Sequence, residues 1–165
     1  MDLVIIGKIV NTHGIKGEIK ILSDFDKKNL VFKNGFNIYI GPNHIKETIN
    51  TYRVHKNFDM ITLTGYTNIN EVLKYKGLDV SINRDDLNLK TDEYIMDDLI
   101  NMDIVEDTIV LGKVVDFVYN KTNTLLVIEG KNNFYIPFVK EYIINVDLNN
   151  KRIETKNAKD LILWK

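Results

Sequence analysis

Short stretches in which apolar and polar residues alternate recur along the chain, and turn-forming residues separate them. In residues 18–22, Ile19 and Ile21 fall on one side while Glu18 and Lys20 fall on the other, as in a half-buried β-strand. Such patterns predict strands at residues 3–10, 18–22, 36–40, 45–55, 60–64 and 79–83, and then at residues 103–106, 110–119, 124–129, 134–138 and 152–155. Short strands joined by turns are typical of small barrels or sandwiches, so the predicted fold class is mainly β.

Residues 68–77 form the clearest helical segment. Asn68 and Glu71 have the spacing of a capping box, and Ile69, Val72 and Leu73 recur at the interval of one helix face. A stripe of this kind most often packs against a core. The sequence therefore predicts one short helix between the fifth and sixth strands.

The polar, aperiodic residues 84–92 predict a linker between two small domains. A helical turn is expected after it at residues 97–100, and a short closing turn at residues 157–164. The length of 165 residues allows two small domains. Net charge changes at the same place, because residues 1–90 carry +3 and residues 91–165 carry −4. This asymmetry suggests two surfaces with different partners.

Composition narrows the class of protein. The chain has no cysteine, which excludes disulfides and thiolate chemistry, and no apolar run reaches the roughly 20 residues that span a bilayer. The N-terminus lacks the basic leader of a signal peptide. We therefore expect a cytoplasmic protein without membrane association.

The sequence offers little for catalysis. The two serines, Ser23 and Ser81, are not in the context of a nucleophile elbow, and the histidines lack the paired spacing of a metal site. Adjacent carboxylates at residues 85–86 and 97–98 point apart on a strand or helix. We expect no enzyme activity, no metal and no cofactor.

A loop between the first two strands carries glycines at positions 14 and 17, which permit backbone angles that side chains disfavour. Cationic residues lie on this loop, beside it and near the fourth predicted strand's end; they are His13, Lys16, Lys20, Arg53, His55 and Lys56. Such a set could contact RNA phosphates, while Tyr52 and Phe58 could stack on bases. The alternative is that both rings belong to the core and the cations are only solvated.

Residues 7–20 resemble the N-terminal signature of the ribosome maturation factor RimM family. Further segments match in the family's order; they are residues 53–56, 70–77, 93–100, 111–116, 134–139 and 146–147. Two positions depart from the family pattern. Ile95 follows Tyr94 where the family has two tyrosines, and Asn101 stands where a glycine is usual, although asparagine tolerates left-handed angles.

The resemblance implies two β-barrel domains. It places a six-stranded barrel similar to those of translation factors at residues 1–84 and a PRC-type barrel at residues 93–165. It implies RNA binding by the cationic set of the first domain. It also implies protein-partner binding in the second domain, at Tyr94, Ile95, Asp98 and Leu99.

The function that the resemblance implies is non-enzymatic assembly of the small ribosomal subunit. The expected partners are small-subunit ribosomal protein nineteen and the head-domain RNA of the immature small subunit, bound by a monomer. One alternative is a stand-alone RNA-binding barrel without a ribosomal protein partner. Another is a regulatory subunit of an enzyme that uses the PRC-type barrel as an adaptor.

Overall fold

The chain forms mainly β-structure, as its alternating pattern predicts. The computed structural model describes residues 1–120 and 122–162. The chain divides into two compact units, Met1–Lys90 and Thr91–Lys165. Within the described residues, no helix is both long and apolar enough to cross a membrane.

The first unit is a closed barrel of six strands. The strands are β1 (Leu3–His13), β2 (Glu18–Leu22), β3 (Asn37–Ile40), β4 (Ile45–His55), β5 (Phe58–Leu63) and β6 (Asp79–Asn83). Their order around the barrel is β1-β2-β5-β4-β3-β6, and antiparallel pairing of β6 with β1 closes it. The predicted six-stranded barrel is thus confirmed.

Isoleucines fill the interior of this barrel because they occupy the inward positions of the strands. Ile9 pairs with Ile21, and Ile19 pairs with Ile61, on neighbouring strands. All four side chains are completely buried. Burying a side chain of this size stabilises the folded state by about 1.5–3 kcal/mol.

The predicted helix at residues 68–77 is two 3₁₀ turns instead, Ile69–Glu71 and Leu73–Tyr75. The capping box is present, since the Asn68 side chain accepts from Asn70 N–H at 2.7 Å and Glu71 accepts from Asn68 N–H at 3.1 Å. Continuation as an α-helix stops at Val72, a β-branched residue with φ of −108°. The stripe prediction holds for Val72, which is fully buried, but Leu73 is exposed.

Two further short elements belong to the first unit. A helix α1 (Lys28–Val31), which the pattern did not predict, follows β2. The turn Arg84–Leu87 follows β6 and buries Leu87, within the stretch predicted as a linker. The compact unit therefore extends through residues that the sequence pattern marks as polar and aperiodic.

The second unit is a six-stranded sheet among the described residues. Its strands are β7 (Asp103–Glu106), β8 (Ile109–Tyr119), β9 (Thr124–Glu129), β10 (Phe134–Pro137), β11 (Ile143–Asp147) and β12 (Arg152–Thr155). The order is β10-β9-β8-β7-β12-β11, and the pairing of β12 with β7 is parallel. A 3₁₀ turn, Met96–Leu99, precedes the sheet, and helix α2 (Ala158–Ile162) follows it.

The closing turn predicted at residues 157–164 corresponds to α2 as far as Ile162. Leu161 and Ile162 are half-buried and pack against the core of the second unit. Leu163 and Trp164 lie outside the described residues.

Candidate nucleic-acid interface and partner surface

Neighbouring strands of the first barrel carry the cationic residues predicted to bind RNA. We define the basic face as the surface formed by His13, Lys16, Lys20, Arg53, His55 and Lys56. All six side chains are exposed or half-buried. They come from β1, β2 and β4 and from the hairpin loops that follow β1 and β4. These strands, with β5 between β2 and β4, lie side by side in the barrel.

Strand pairing brings the middle of the basic face together. Lys20 on β2 and Arg53 on β4 both pair with Met60 of β5, from opposite sides. The Lys20 ammonium lies 4.7 Å from the centroid of the Phe58 ring, in a cation–π contact. The His13 and His55 rings also approach each other, with 6.1 Å between their centroids. His13, Lys20, Arg53 and His55 therefore share one surface, although His13 and His55 are 42 positions apart in the sequence.

Lys16 and Lys56 extend the basic face through the hairpin loops. Lys16 lies between Gly14 and Gly17, whose φ angles of +74° and +87° form the tight loop that the sequence predicts. Lys56 has a left-handed φ of +57° in a two-residue turn, because His55 already pairs with Phe58. Strand β5 accordingly begins at Phe58, two residues before its predicted start at residue 60.

A bidentate ion pair lies on the basic face. The Arg53 guanidinium donates two hydrogen bonds of 2.7 Å to the Glu18 carboxylate. These hydrogen bonds lower the pKa of Glu18, and the nearby positive charges of Arg53, His13 and His55 act in the same direction against partial burial. The same hydrogen bonds raise the pKa of Arg53. The arginine predicted to contact phosphate is thus already paired with an anionic group.

Sequence reasoning missed the role of Glu18, which it treated only as an outward strand position. The loop between β1 and β2 has four residues, which places Glu18 opposite His13 across the hairpin. The sequence predicts a first strand that ends at residue 10, so it did not indicate this pairing. No local signal could have found Arg53, which is 35 residues away along the chain. Only the order of strands in the barrel brings these two residues together.

Of the two aromatic residues that the sequence offers for base stacking, Tyr52 packs within the first barrel. Tyr52 stacks on Phe32 with 5.4 Å between ring centroids. Its hydroxyl donates to Asp59 at 2.6 Å, and the buried Asp59 pairs with Lys28 at 2.8 Å. Burial and then the hydrogen bond to Asp59 raise the pKa of Tyr52 to about 12. These contacts support a packing role for Tyr52. Phe58 is half-buried, and Lys20 lies over its ring.

The residues predicted to bind a protein partner differ in accessibility. Ile95 and Leu99 are fully buried, and Leu99 belongs to the core of the second unit. This burial corrects the expectation that Ile95 and Leu99 lie on a binding surface, because both side chains are withdrawn from solvent. Tyr94 and Asp98 are half-buried.

The local structure explains how Tyr94 and Asp98 are held. Asp98 accepts a hydrogen bond of 3.0 Å from the Ile95 N–H, which caps the turn Met96–Leu99. Tyr94 meets Phe138 edge to face, with 6.4 Å between ring centroids. Asn101 adopts a φ of +73°, which fits the left-handed turn expected where the family usually has glycine.

In the first unit an open groove of about 910 Å³ is lined by residues of β1 and β6 and by the loop after β3, including Lys8 and His44. It lacks the concentration of cations found on the basic face. In the described part of the chain, no group of three or more His, Asp or Glu side chains could hold a metal ion.

The comparisons with known proteins agree across both units. The RimM N-terminal domain model matches residues 4–87, and the RimM PRC barrel domain model matches residues 96–161. A ribosome maturation factor RimM from Exiguobacterium is 37% identical over 159 residues, covering 93% of this chain and 92% of that protein. One from Staphylococcus aureus is 35% identical over 153 residues, covering 90% and 92%.

Among solved structures, the N-terminal domain of RimM from Thermus thermophilus matches with a TM-score of 0.45 and 22% identity, covering 53% of this chain and 95% of that domain. The family matches span nearly the whole chain and follow its two units in order. This chain is therefore a member of the ribosome maturation factor RimM family.

Proposed function

We propose that this protein is a non-enzymatic assembly factor that acts in the cytoplasm on the immature small ribosomal subunit. In this proposal the basic face contacts head-domain ribosomal RNA, and the second unit binds small-subunit ribosomal protein nineteen through the surface around Tyr94 and Asp98. Membership of the RimM family supports the assignment to ribosome maturation. The domains proposed for these two tasks are residues 1–84 and 93–165.

The convergence of the basic face is the observation that carries the RNA-binding part of the proposal. Its cations come from separate segments of the chain, yet the register of β2, β5 and β4 sets Lys20 and Arg53 on either side of one residue. Lysine and arginine side chains that project from a rigid sheet can contact successive phosphates of a folded RNA. Each such contact releases counterions and makes the affinity dependent on salt.

The acidic balance of residues 91–165 supports a basic partner for the second unit. These residues carry a net charge of −4. Opposite charges on two partners raise their rate of encounter and favour one orientation of docking. Ribosomal proteins that bind RNA are generally basic, so a net acidic surface suits such a partner.

The mechanism in this proposal is binding without a covalent step. A factor that binds one conformation of the immature subunit more tightly than others stabilises that conformation by mass action. The protein then dissociates when the completed subunit no longer presents the same surface. Such a cycle needs two specific contacts and no catalytic residue.

A pull-down from cell lysate tests this function. Tagged full-length protein is expected to recover immature small subunits together with ribosomal protein nineteen. The double substitution Lys16→Glu with Lys20→Glu is expected to lower this recovery and to flatten the salt dependence by roughly one unit per lost phosphate contact. Lys46→Glu with Lys76→Glu is the control, because it makes the same charge change at exposed positions outside the basic face.

Three other results would each change this proposal. Equal recovery by wild type and the Lys16/Lys20 variant would remove the basic face from the proposal. Recovery of assorted RNA without the ribosomal protein would favour a stand-alone RNA-binding barrel. Recovery of an enzyme without ribosomal subunits would favour a regulatory subunit.

A further inference from the structure

The basic face contains one carboxylate at its centre. Glu18 is half-buried, pairs across the hairpin with His13, and holds Arg53 by two hydrogen bonds of 2.7 Å. The charges of His13 and His55 also act on it. The Arg53 guanidinium and two imidazoles from β1 and β4 thus lie near one carboxylate of β2.

The geometry of this contact is the geometry in which arginine binds phosphate. A guanidinium presents two parallel N–H groups, which match two oxygens of a carboxylate or of a phosphate equally well. The Glu18 carboxylate therefore stands where a phosphate could receive the same pair of hydrogen bonds. Imidazole N–H groups beside it could donate to the remaining phosphate oxygens.

We infer that Arg53, His13 and His55 form a subsite for one RNA backbone phosphate, and that Glu18 is the intramolecular competitor that occupies it in the free protein. This inference rests on the proposed RNA-binding function and names a contact within the basic face. Binding exchanges the Glu18 carboxylate for a phosphate on Arg53.

The exchange is energetically accessible because the ion pair lies at the surface. Arg53 retains 48% of its side-chain exposure, and Glu18 retains 17%. Ion pairs at the surface contribute little to stability, since water screens them and ordering the side chains costs entropy. An RNA already held by Lys16 and Lys20 would present its phosphates to Arg53 at a high local concentration.

Competition by Glu18 has a functional consequence. A face of six basic side chains without an anion would bind any RNA backbone, because phosphate contacts carry no sequence information. A built-in competitor lowers this non-specific affinity. An RNA whose shape supplies further contacts to the protein binds more tightly overall. The same competition therefore reduces the fraction of protein bound to that RNA less.

The test compares full-length variants for affinity to a fluorescent transcript of the small-subunit head-domain RNA, by anisotropy at several KCl concentrations. Glu18→Gln is close to isosteric and keeps a hydrogen-bonding side chain while removing the charge. Asp79→Asn is the matched control, because it removes one negative charge from an exposed position on β6, which neighbours neither β2 nor β4. Thermal melting verifies that each variant is folded.

Glu18→Gln is expected to bind the transcript about two- to fivefold more tightly, the range of a released surface ion pair. The dependence of log affinity on log salt should steepen by roughly 0.7–0.9, as for one additional phosphate contact. Asp79→Asn should stay within about 1.5-fold of wild type, because its charge is distant and screened. In an Arg53→Gln background, Glu18→Gln should no longer tighten binding.

Two results would overturn the inference while leaving the proposed function intact. Weaker binding by Glu18→Gln would show that Glu18 positions Arg53 for RNA. Unchanged binding would show that Glu18 has no role in RNA binding. Tighter binding that persists without Arg53 would show a general effect of charge. If wild type itself does not bind the transcript, both the subsite and the RNA-binding part of the proposed function are wrong.

Discussion

The carboxylate of Glu106, at the end of β7, accepts a hydrogen bond of 2.8 Å from the backbone N–H of Ala158, 52 residues later. Both residues are buried. Glu106 also accepts from the Thr155 hydroxyl at 3.3 Å and from Lys159 N–H at 3.4 Å. One acidic side chain thus satisfies the first N–H groups of α2 and fixes the helix to the sheet.

We expect Glu106→Ala to destabilise the second unit by about 1–3 kcal/mol, because it leaves buried backbone N–H groups without an acceptor. Chemical denaturation of the full chain, followed by a signal from the second unit, measures this change. Glu129→Ala, at an exposed position on β9, is the control and should change stability by less than about 0.5 kcal/mol. Equal effects of the two substitutions would contradict the structural role of Glu106.

Gly17 and Gly14 should respond differently to alanine. Both have positive φ, so each Gly→Ala change costs about 1–2 kcal/mol of backbone strain. A Cβ on Gly17 would also lie 2.9 Å from the carbonyl oxygen of Asn68, whereas a Cβ on Gly14 would meet no atom within 4 Å. Gly17→Ala should therefore lower the free energy of unfolding by at least about 1 kcal/mol more than Gly14→Ala. Equal melting temperatures would contradict this close approach.

The proposed partner surface predicts an effect of Tyr94→Ala on binding. Tyrosine anchors commonly contribute at least about 1–2 kcal/mol to an interface, so calorimetry with small-subunit ribosomal protein nineteen should show a loss of this size. Tyr135→Ala removes the same side chain from an exposed position on β10 and is the matched comparison. Because Tyr94 also packs against Phe138, melting curves must accompany the titrations.

The two readouts separate the roles of Tyr94. Lower affinity in a protein that is still folded supports the interface. A lower melting temperature with normal affinity would assign Tyr94 to packing alone. A loss of affinity only in Tyr135→Ala would place the partner on the outer face of β10 instead.

The Arg53–Glu18 ion pair predicts a pH dependence of stability. The pKa of Glu18 is lowered in the folded protein from its ordinary value of 4.5, so on acidification the unfolded chain binds the proton first. The ion pair therefore stabilises the folded state at neutral pH, and this contribution is lost as pH falls through the folded-state pKa. The stability difference between wild type and Glu18→Gln should shrink between about pH 6 and pH 3. In an Arg53→Gln background this dependence should be smaller, because Arg53 is the largest cause of the lowered pKa. A constant difference between wild type and Glu18→Gln across the range would contradict the prediction.

The sequence by itself determined most of the strands, although β1 runs to His13, three residues beyond its predicted end. A period of two in apolar residues is a local property, so the segment Glu18–Leu22 could be identified from five letters. Among the elements that the sequence did not predict, two have a weak or interrupted signal. Strand β11 contains a bulge between Ile143 and Asn145 that interrupts the alternation and leaves Ile144 exposed. Helix α1 is four residues long and has no side-chain cap.

Tertiary structure decided which candidate residues share a surface and which are buried. The cations of the basic face could be named from sequence, but the pairing of Arg53 with Glu18 depends on β5 lying between β4 and β2. The burial of Ile95 and Leu99 could not be predicted from the local pattern either, because an apolar residue near a turn can belong to a core or to an interface. Alternation specifies the two sides of a strand. Which side meets the core, and which residues lie across from it, is set by long-range pairing, whose register depends on the fold as a whole.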